Sequence, residues 1–207
     1  VLVHEATQTD KARKLFQLAG LHFPEQPYAY DSKEDYDNIL KKWSTEQKQI
    51  VLQYIHDADT VNRDAYWMDA ELLNYLNSKA YLRDIVPHEY VPEREVVSSK
   101  QLAEALQHWD LPIVLKPGDE TPTAGGYGVQ ICHTEAQLDV AKSLFTQEGV
   151  DNVIIEKYVE EIANYSCQYA YSPKIGLQYL GTSVQITDDG GMYAGNVMVS
   201  DVPEAVI

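Results

Sequence analysis

The chain has 207 residues, enough to bury a core and to hold one large domain or two small ones. Its 44% hydrophobic and 23% charged residues argue against disorder. Its 32 acidic against 16 basic residues give a net charge of -16, which argues against nucleic-acid or membrane partners, since both need a basic surface. An anion could bind only in a local basic pocket.

Residues 1–5 read as a short strand, followed by a helix capped by Thr9 or Asp10 that carries Leu15, Phe16 and Leu18 and stops at Gly20. Pro24 and Pro27 make "HFPEQPYAYDS" a connection. Tyr36, Ile39, Leu40 and Trp43 share one face of a second helix starting at Asp31 or Ser32, and the β-branched and aromatic content of "QKQIVLQYI" then favours a strand. This alternation is that of an α/β layer.

The run "DAELLNYLNSKAYLRDIVP" predicts a helix from Asp69 that Pro87 ends, and "EYVPEREVV" is an extended connector. Ser98 with Gln101 has the capping-box pattern for a helix bearing Leu102, Leu106 and Trp109. Residues 111–116 and 127–132 read as strands, Thr134 with Gln137 opens another capped helix, and Val153, Ile154 and Ile155 form an apolar strand. From Tyr165 onward the pattern is mostly strand: Tyr165, Cys167, Tyr169 and Tyr171 alternate with polar or small residues, as in a sheet with one buried face. The change of register lies between residues 95 and 110. It divides the chain into an α/β piece, residues 1–95, and an α+β piece with antiparallel strands, residues 96–207.

Cys132 and Cys167 are too few and too far apart for a disulfide scaffold or a zinc site, and both are expected to be buried thiols in a reducing compartment. No apolar run reaches the length of a membrane-spanning helix, and "VLVHEATQTDKARK" lacks the basic-then-apolar order of a signal peptide, so a cytoplasmic setting is expected. The chain has 15 Tyr against 3 Phe, so most of its aromatic rings carry a polar end that needs a partner or water.

Three segments could carry chemistry. In "LPIVLKPGDETPTAGGYGV" a strand ends at Lys116 and a polar stretch closes on Gly125, Gly126 and Gly128. The glycines alone suit an ordinary hairpin tip, and neither common phosphate-loop pattern is present. However, the connection is longer than a hairpin needs, and an ammonium at the end of an apolar strand is costly to bury without an anion. In "VIIEKYVEE", Glu156, Lys157 and Val159 follow an apolar strand, an arrangement that suits a solvated strand end or a main-chain hinge reading a flat ring. Lys79 in "LNSKAYLRD" suits an exposed helix end equally well.

The order of these segments resembles that of the ATP-grasp superfamily: Asn77-Ser78-Lys79, a connector from Pro87 to Pro92, "PIVLKP", the glycines from Gly125 to Gly128, and "IEKYV" ending at Val159. The resemblance implies an α/β leading domain followed by an ATP-grasp subdomain, with ATP and Mg²⁺ as cofactors. Lys116 would contact the α- and β-phosphates, and Lys79 would reach phosphate from the other side. Gly125, Gly126 and Gly128 would form a flap, while the Glu156, Lys157 and Val159 backbones would read the adenine edge, with Glu160 and Glu161 near the ribose. The implied reaction is attack of a carboxylate on the γ-phosphate, giving an acylphosphate that an amine displaces; the implied partners are a small carboxylate and a small amine, and a homodimer is compatible. The family's metal-binding "E-x-N" pattern is not reached by Ile207, so no metal ligand or catalytic residue is assigned, and a fragment of a longer ligase is expected. Two other readings remain open: a non-catalytic nucleotide-binding or scaffold protein, and a biotin carboxylase-like member.

Overall fold

The computed structural model describes residues 1–18, 20, 22–118, 128–188, 191–200 and 202–203. It divides into two compact units, Val1–Asn74 and Tyr75–Ile207. The expected glycines Gly125 and Gly126 lie outside the described residues.

In the first unit, strand β1 (Leu2–His4) pairs in parallel with β2 (Tyr28–Tyr30), with helix α1 (Asp10–Leu18) between them in sequence. Thr9 Oγ1 accepts the Ala12 N–H at 3.1 Å, which satisfies one of the amides that a helix start leaves unpaired. Gly20, past the end of α1, has φ +71°, a conformation open to glycine at little cost. Ser32 caps α2 (Lys33–Thr45) by accepting the Asp35 N–H. The core gathers Leu40, Ile50, Val61, Ala65, Tyr66, Ala70 and Leu73. The strand expected over residues 47–55 shrinks to one parallel bridge between Ile50 and Tyr66. Side chains replace the ladder there: the His56 N–H donates to the Tyr66 hydroxyl at 2.7 Å, and His56 Nε2 lies 3.0 Å from the Tyr36 hydroxyl.

The helix expected from Asp69 to Pro87 is also interrupted. Helix α3 (Ala70–Asn77) ends before Ser78, a 3₁₀ turn spans Lys79–Tyr81, and α4 (Leu82–Ile85) follows. Buried Ser78 causes the break, because its hydroxyl accepts the Ala80 N–H and offers the backbone an alternative to the helix ladder.

The second unit holds a four-stranded antiparallel sheet in the order β3 (Arg94–Ser98), β6 (Asn152–Lys157), β4 (Ile113–Pro117), β5 (Gln130–Cys132). Helix α5 (Leu102–Ala105) is short and continues into a 3₁₀ turn. The capping box expected at Ser98 does not form, since Ser98 stays in β3 opposite Asn152 and its hydroxyl donates to the Gln101 side chain instead. The box at Thr134 and Gln137 does form and opens α6 (Glu135–Gln147). Leu138, Ala141 and Phe145 of α6 bury one face of the sheet, together with Ile113, Leu115, Val153 and Ile155.

A three-stranded antiparallel sheet follows, β7 (Tyr165–Ser172), β8 (Gly176–Thr187) and β9 (Tyr193–Val199) in that order. The alternation in β7 does not produce a buried face: Tyr169 and Tyr171 are exposed, and Cys167, expected to be buried, is half-exposed. The free Cys132 is buried as expected.

Candidate functional site

Strand pleat decides which residues of the four-stranded sheet can meet a ligand. Ile113 and Leu115 turn into the core, so Val114 and Lys116 of β4 turn to the other face. Val114 stands opposite Glu156 and Lys116 opposite Ile154, which makes Lys116 and Glu156 diagonal neighbours on that face. There they line a cavity of about 590 Å³, within the usual size of a small-molecule site. Val129 and Ile131 supply one apolar wall, Lys157, Tyr158 and Val159 follow from the end of β6, and Glu161 and Asn164 lie beyond them. The far wall is the β8–β9 connection, through Thr187, Asp188 and Gly191. The Asp188 carboxylate accepts the Met192 N–H at 2.9 Å, which shapes that turn, and a Cβ on Gly191 would lie 3.6 Å from Ile131 Cδ1.

A cluster of paired charges borders the cavity at Lys116 and Glu156. Glu156, with its side chain 6% exposed, receives the Lys116 ammonium on Oε2, while the Arg94 guanidinium, 2% exposed, approaches Oε1 at 3.3 Å. Arg94 Nη2 also donates to the Lys79 carbonyl at 2.6 Å, a group presented by the break at Ser78. Burial is the main influence holding the Lys79 ammonium below its ordinary 10.5, Lys116 adds to it, and Glu156 opposes it. Burial likewise lowers the Arg94 guanidinium, with Glu156 opposing and Arg83 adding to the effect. Lys79, Lys116 and Arg94 therefore gather near one carboxylate, with Arg83 beside Arg94, a concentration of positive charge in a chain of net charge -16.

The structure thus brings Lys79, Lys116 and Glu156 together, and it lines the same cavity with Lys157 and Val159. Gly128 stands just before Val129, with φ +71° and a position where a Cβ would meet Pro117 Cγ at 2.7 Å, so only glycine fits at this end of the β4–β5 connection. The Lys157 N–H is already bonded to the Glu93 carbonyl at 2.9 Å. Sequence reasoning assigned Arg94 no role; its signal was a cation opening a strand that carries two valines, "REVVS". The Asn164 and Asp188 walls carried no such signal.

The first unit has its own cavity, about 630 Å³, lined by Tyr28, Tyr30, Tyr36 and Trp43 among others. Its side-chain cation, Lys48, pairs with Glu46 at 2.6 Å, so no unbalanced charge converges there.

Residues 92–207 match a family model described as "L-aspartate--L-methionine ligase, ATP grasp", and residues 1–74 match the model of that ligase's N-terminal domain. The chain belongs to this ATP-grasp ligase family. Among solved structures, an N5-carboxyaminoimidazole ribonucleotide synthetase in its ADP complex matches 98% of the chain and 52% of its own length, at 18% identity and a TM-score of 0.62. An L-amino acid ligase from Bacillus licheniformis matches 90% of the chain and 48% of its own length, at 14% identity and a TM-score of 0.58. A biotin carboxylase from Campylobacter jejuni matches 93% and 46%, at 14% identity and a TM-score of 0.57. These likenesses establish the ATP-grasp fold, an N-terminal domain followed by helices and antiparallel sheets. The chain spans about half the length of these solved relatives.

Proposed function

We propose that the chain forms the nucleotide-binding part of an ATP-dependent carboxylate–amine ligase. One observation carries this reading: Lys116 lines a cavity that also presents Val129, Ile131, Val159 and the main chain after Glu156, and Lys79 and Arg94 stand beside the Lys116–Glu156 pair, inside an otherwise acidic molecule. Such a site suits a ligand with a flat ring at one end and several negative charges at the other. Lys116 and Lys79 would hold the phosphates. Val129, Ile131 and Val159 would cover the adenine, with main chain after Glu156 reading its edge, and Gly125, Gly126 and Gly128 would approach the phosphates by their amides. Since the Lys157 amide already serves Glu93, its contribution would have to come from elsewhere on the hinge.

The family's description supports L-aspartate and L-methionine as the carboxylate and amine substrates. The carboxylate would attack the γ-phosphate, releasing ADP, and the methionine amine would displace phosphate from the resulting acylphosphate to leave an amide. Mg²⁺ would offset phosphate charge. Among the described residues no group of three His, Cys, Asp or Glu could hold a metal ion, so its ligands are not assigned to them. No helix among the described residues is long and apolar enough to cross a membrane, and the two free cysteines fit a cytoplasmic setting.

Mg-ATP should raise the melting temperature, because a ligand bound only by the folded chain stabilises it by mass action. Lys116→Ala should remove most of that rise, and Lys11→Ala, in the exposed part of α1, should leave it intact. No rise at millimolar ATP, or equal losses in the two variants, would count against the site.

A further inference from the structure

We infer that the Glu156 carboxylate is a resident substitute for phosphate: it keeps the Lys116 ammonium at the cavity until a triphosphate takes it over, and Arg94 then holds the released carboxylate. The inference rests on the nucleotide reading above and assigns Glu156 a side-chain role beside its place in the hinge.

Three observations lead to it. The two oxygens of Glu156 serve two cations of unequal freedom, since Oε2 takes Lys116, 26% exposed at its side chain and lining the cavity, and Oε1 faces Arg94, 2% exposed. Only Lys116 can turn toward a ligand without dragging a buried charge through the core. Arg94 is pinned from its other side, where Nη2 donates to the Lys79 carbonyl at 2.6 Å.

The third observation concerns unused donors. Arg94 Nε and Nη1 are buried and have no hydrogen-bond partner among the described residues; the Nη1 contact with Glu156 is within ion-pair distance but poorly aligned for a hydrogen bond. Buried donors without acceptors are costly, and a charge-assisted hydrogen bond from a guanidinium to a carboxylate is among the stronger ones. Once Lys116 has moved to a phosphate, a small rotation of Glu156 would bring Oε1 into line with Nη1 and turn the ion-pair contact into a hydrogen bond. The bond lost from Lys116 is thereby replaced at Arg94, and no carboxylate is left buried and unpaired beside the incoming anion.

The test is calorimetric titration of ATP and of adenosine into the wild-type chain, Glu156→Gln, Lys116→Met and the double variant. Removing the competing carboxylate should tighten ATP by about tenfold, the scale on which a close charge pair moves a binding constant, and leave adenosine unchanged. In the Lys116→Met background the same Glu156→Gln change should have no effect on ATP. Weaker ATP binding by Glu156→Gln, equal shifts for ATP and adenosine, or a tightening that persists without Lys116 would each overturn the inference while leaving the nucleotide site standing. If the wild-type chain binds neither ligand, the nucleotide reading itself fails and the inference with it.

Should Glu156→Gln fail to fold, the wild-type chain still decides the matter by low-temperature NMR of the arginine Nη–H groups, with the Arg94 signal assigned through Arg94→Lys. ATP should shift and protect that signal as it gains an acceptor, and adenosine should not. An Arg94 signal indifferent to ATP in a chain that binds ATP would overturn the inference.

Discussion

Strands β6 and β8 are both central strands of antiparallel sheets, and both are rich in β-branched and aromatic residues. Yet Val153, Ile154 and Ile155 of β6 are fully buried, while Leu177, Tyr179, Leu180 and Ile186 of β8 are exposed. The difference lies in what each sheet is given to pack against. Helix α6 brings Leu138, Ala141 and Phe145 onto the four-stranded sheet, whereas the apolar residues of the three-stranded sheet have no comparable helix among the described residues. Strand composition therefore set the pairing in both sheets, and burial was decided by a separate element. The cavity lies where the covered sheet meets the β8–β9 connection, so one wall is held by a core and the other by a turn.

The contrast can be tested from its strongest point downward. Phe145→Ala removes a fully buried ring from the covered sheet and should cost about 3–5 kcal/mol in urea unfolding. A loss below 1 kcal/mol would show that α6 is not what secures that sheet. Gly128→Ala forces a side chain into a positive-φ site against Pro117 and should cost roughly 1–3 kcal/mol by the same measurement; a neutral result would mean the strand ends adjust freely. Thr134→Ala removes one half of the capping box on α6 and should cost about 1 kcal/mol. Tyr171→Ser, on the uncovered sheet, should stay within about 0.5 kcal/mol of neutral, and a large loss there would show a cover that the described residues do not supply.

A pH series probes the charged cluster beside the cavity. Lys79 has its folded pKa depressed below 10.5, so the folded chain binds fewer protons than the unfolded chain as pH approaches that value. Its contribution to stability therefore rises with pH from the depressed value up to the ordinary one. A triphosphate needs the charged form. ATP affinity should accordingly begin to fall below the ordinary lysine range, while adenosine affinity stays flat; parallel falls would remove Lys79 from the phosphate end.

Much of the fold was legible because local chemistry and packing agreed. Ser32 and Thr134 announced their helices, Gly20 its stop, and the runs ending in Lys116 and Lys157 their strands. Failures came where a side chain competed with the pattern. Ser78 broke a helix whose apolar spacing continued past it, and Ser98 was claimed by strand pairing before it could cap anything. The tyrosine alternation in β7 spoke of a sheet but not of a cover, since a period of two says which residues share a face and nothing about what meets it. At the cavity, Lys79, Lys116 and Glu156 came from ordered segments of sequence. Arg94 did not, because its meaning depends on β3 pairing with β6, a contact between segments far apart in the chain.

The bond from Arg94 to the Lys79 carbonyl spans 15 residues and ends on a turn that exists only because Ser78 stops a helix. That makes the connector between them a ruler. Its helical turns and prolines must deliver one carbonyl to one buried guanidinium, so a residue added or removed anywhere from Ala80 to Glu93 would put the charged cluster out of alignment, even where the surface would accept it. The tight β7–β8 hairpin, with exposed Lys174 and Ile175 at its tip, has no such duty. For anyone recombining this chain with its relatives, the hairpin is a place to cut and the connector is a length to keep.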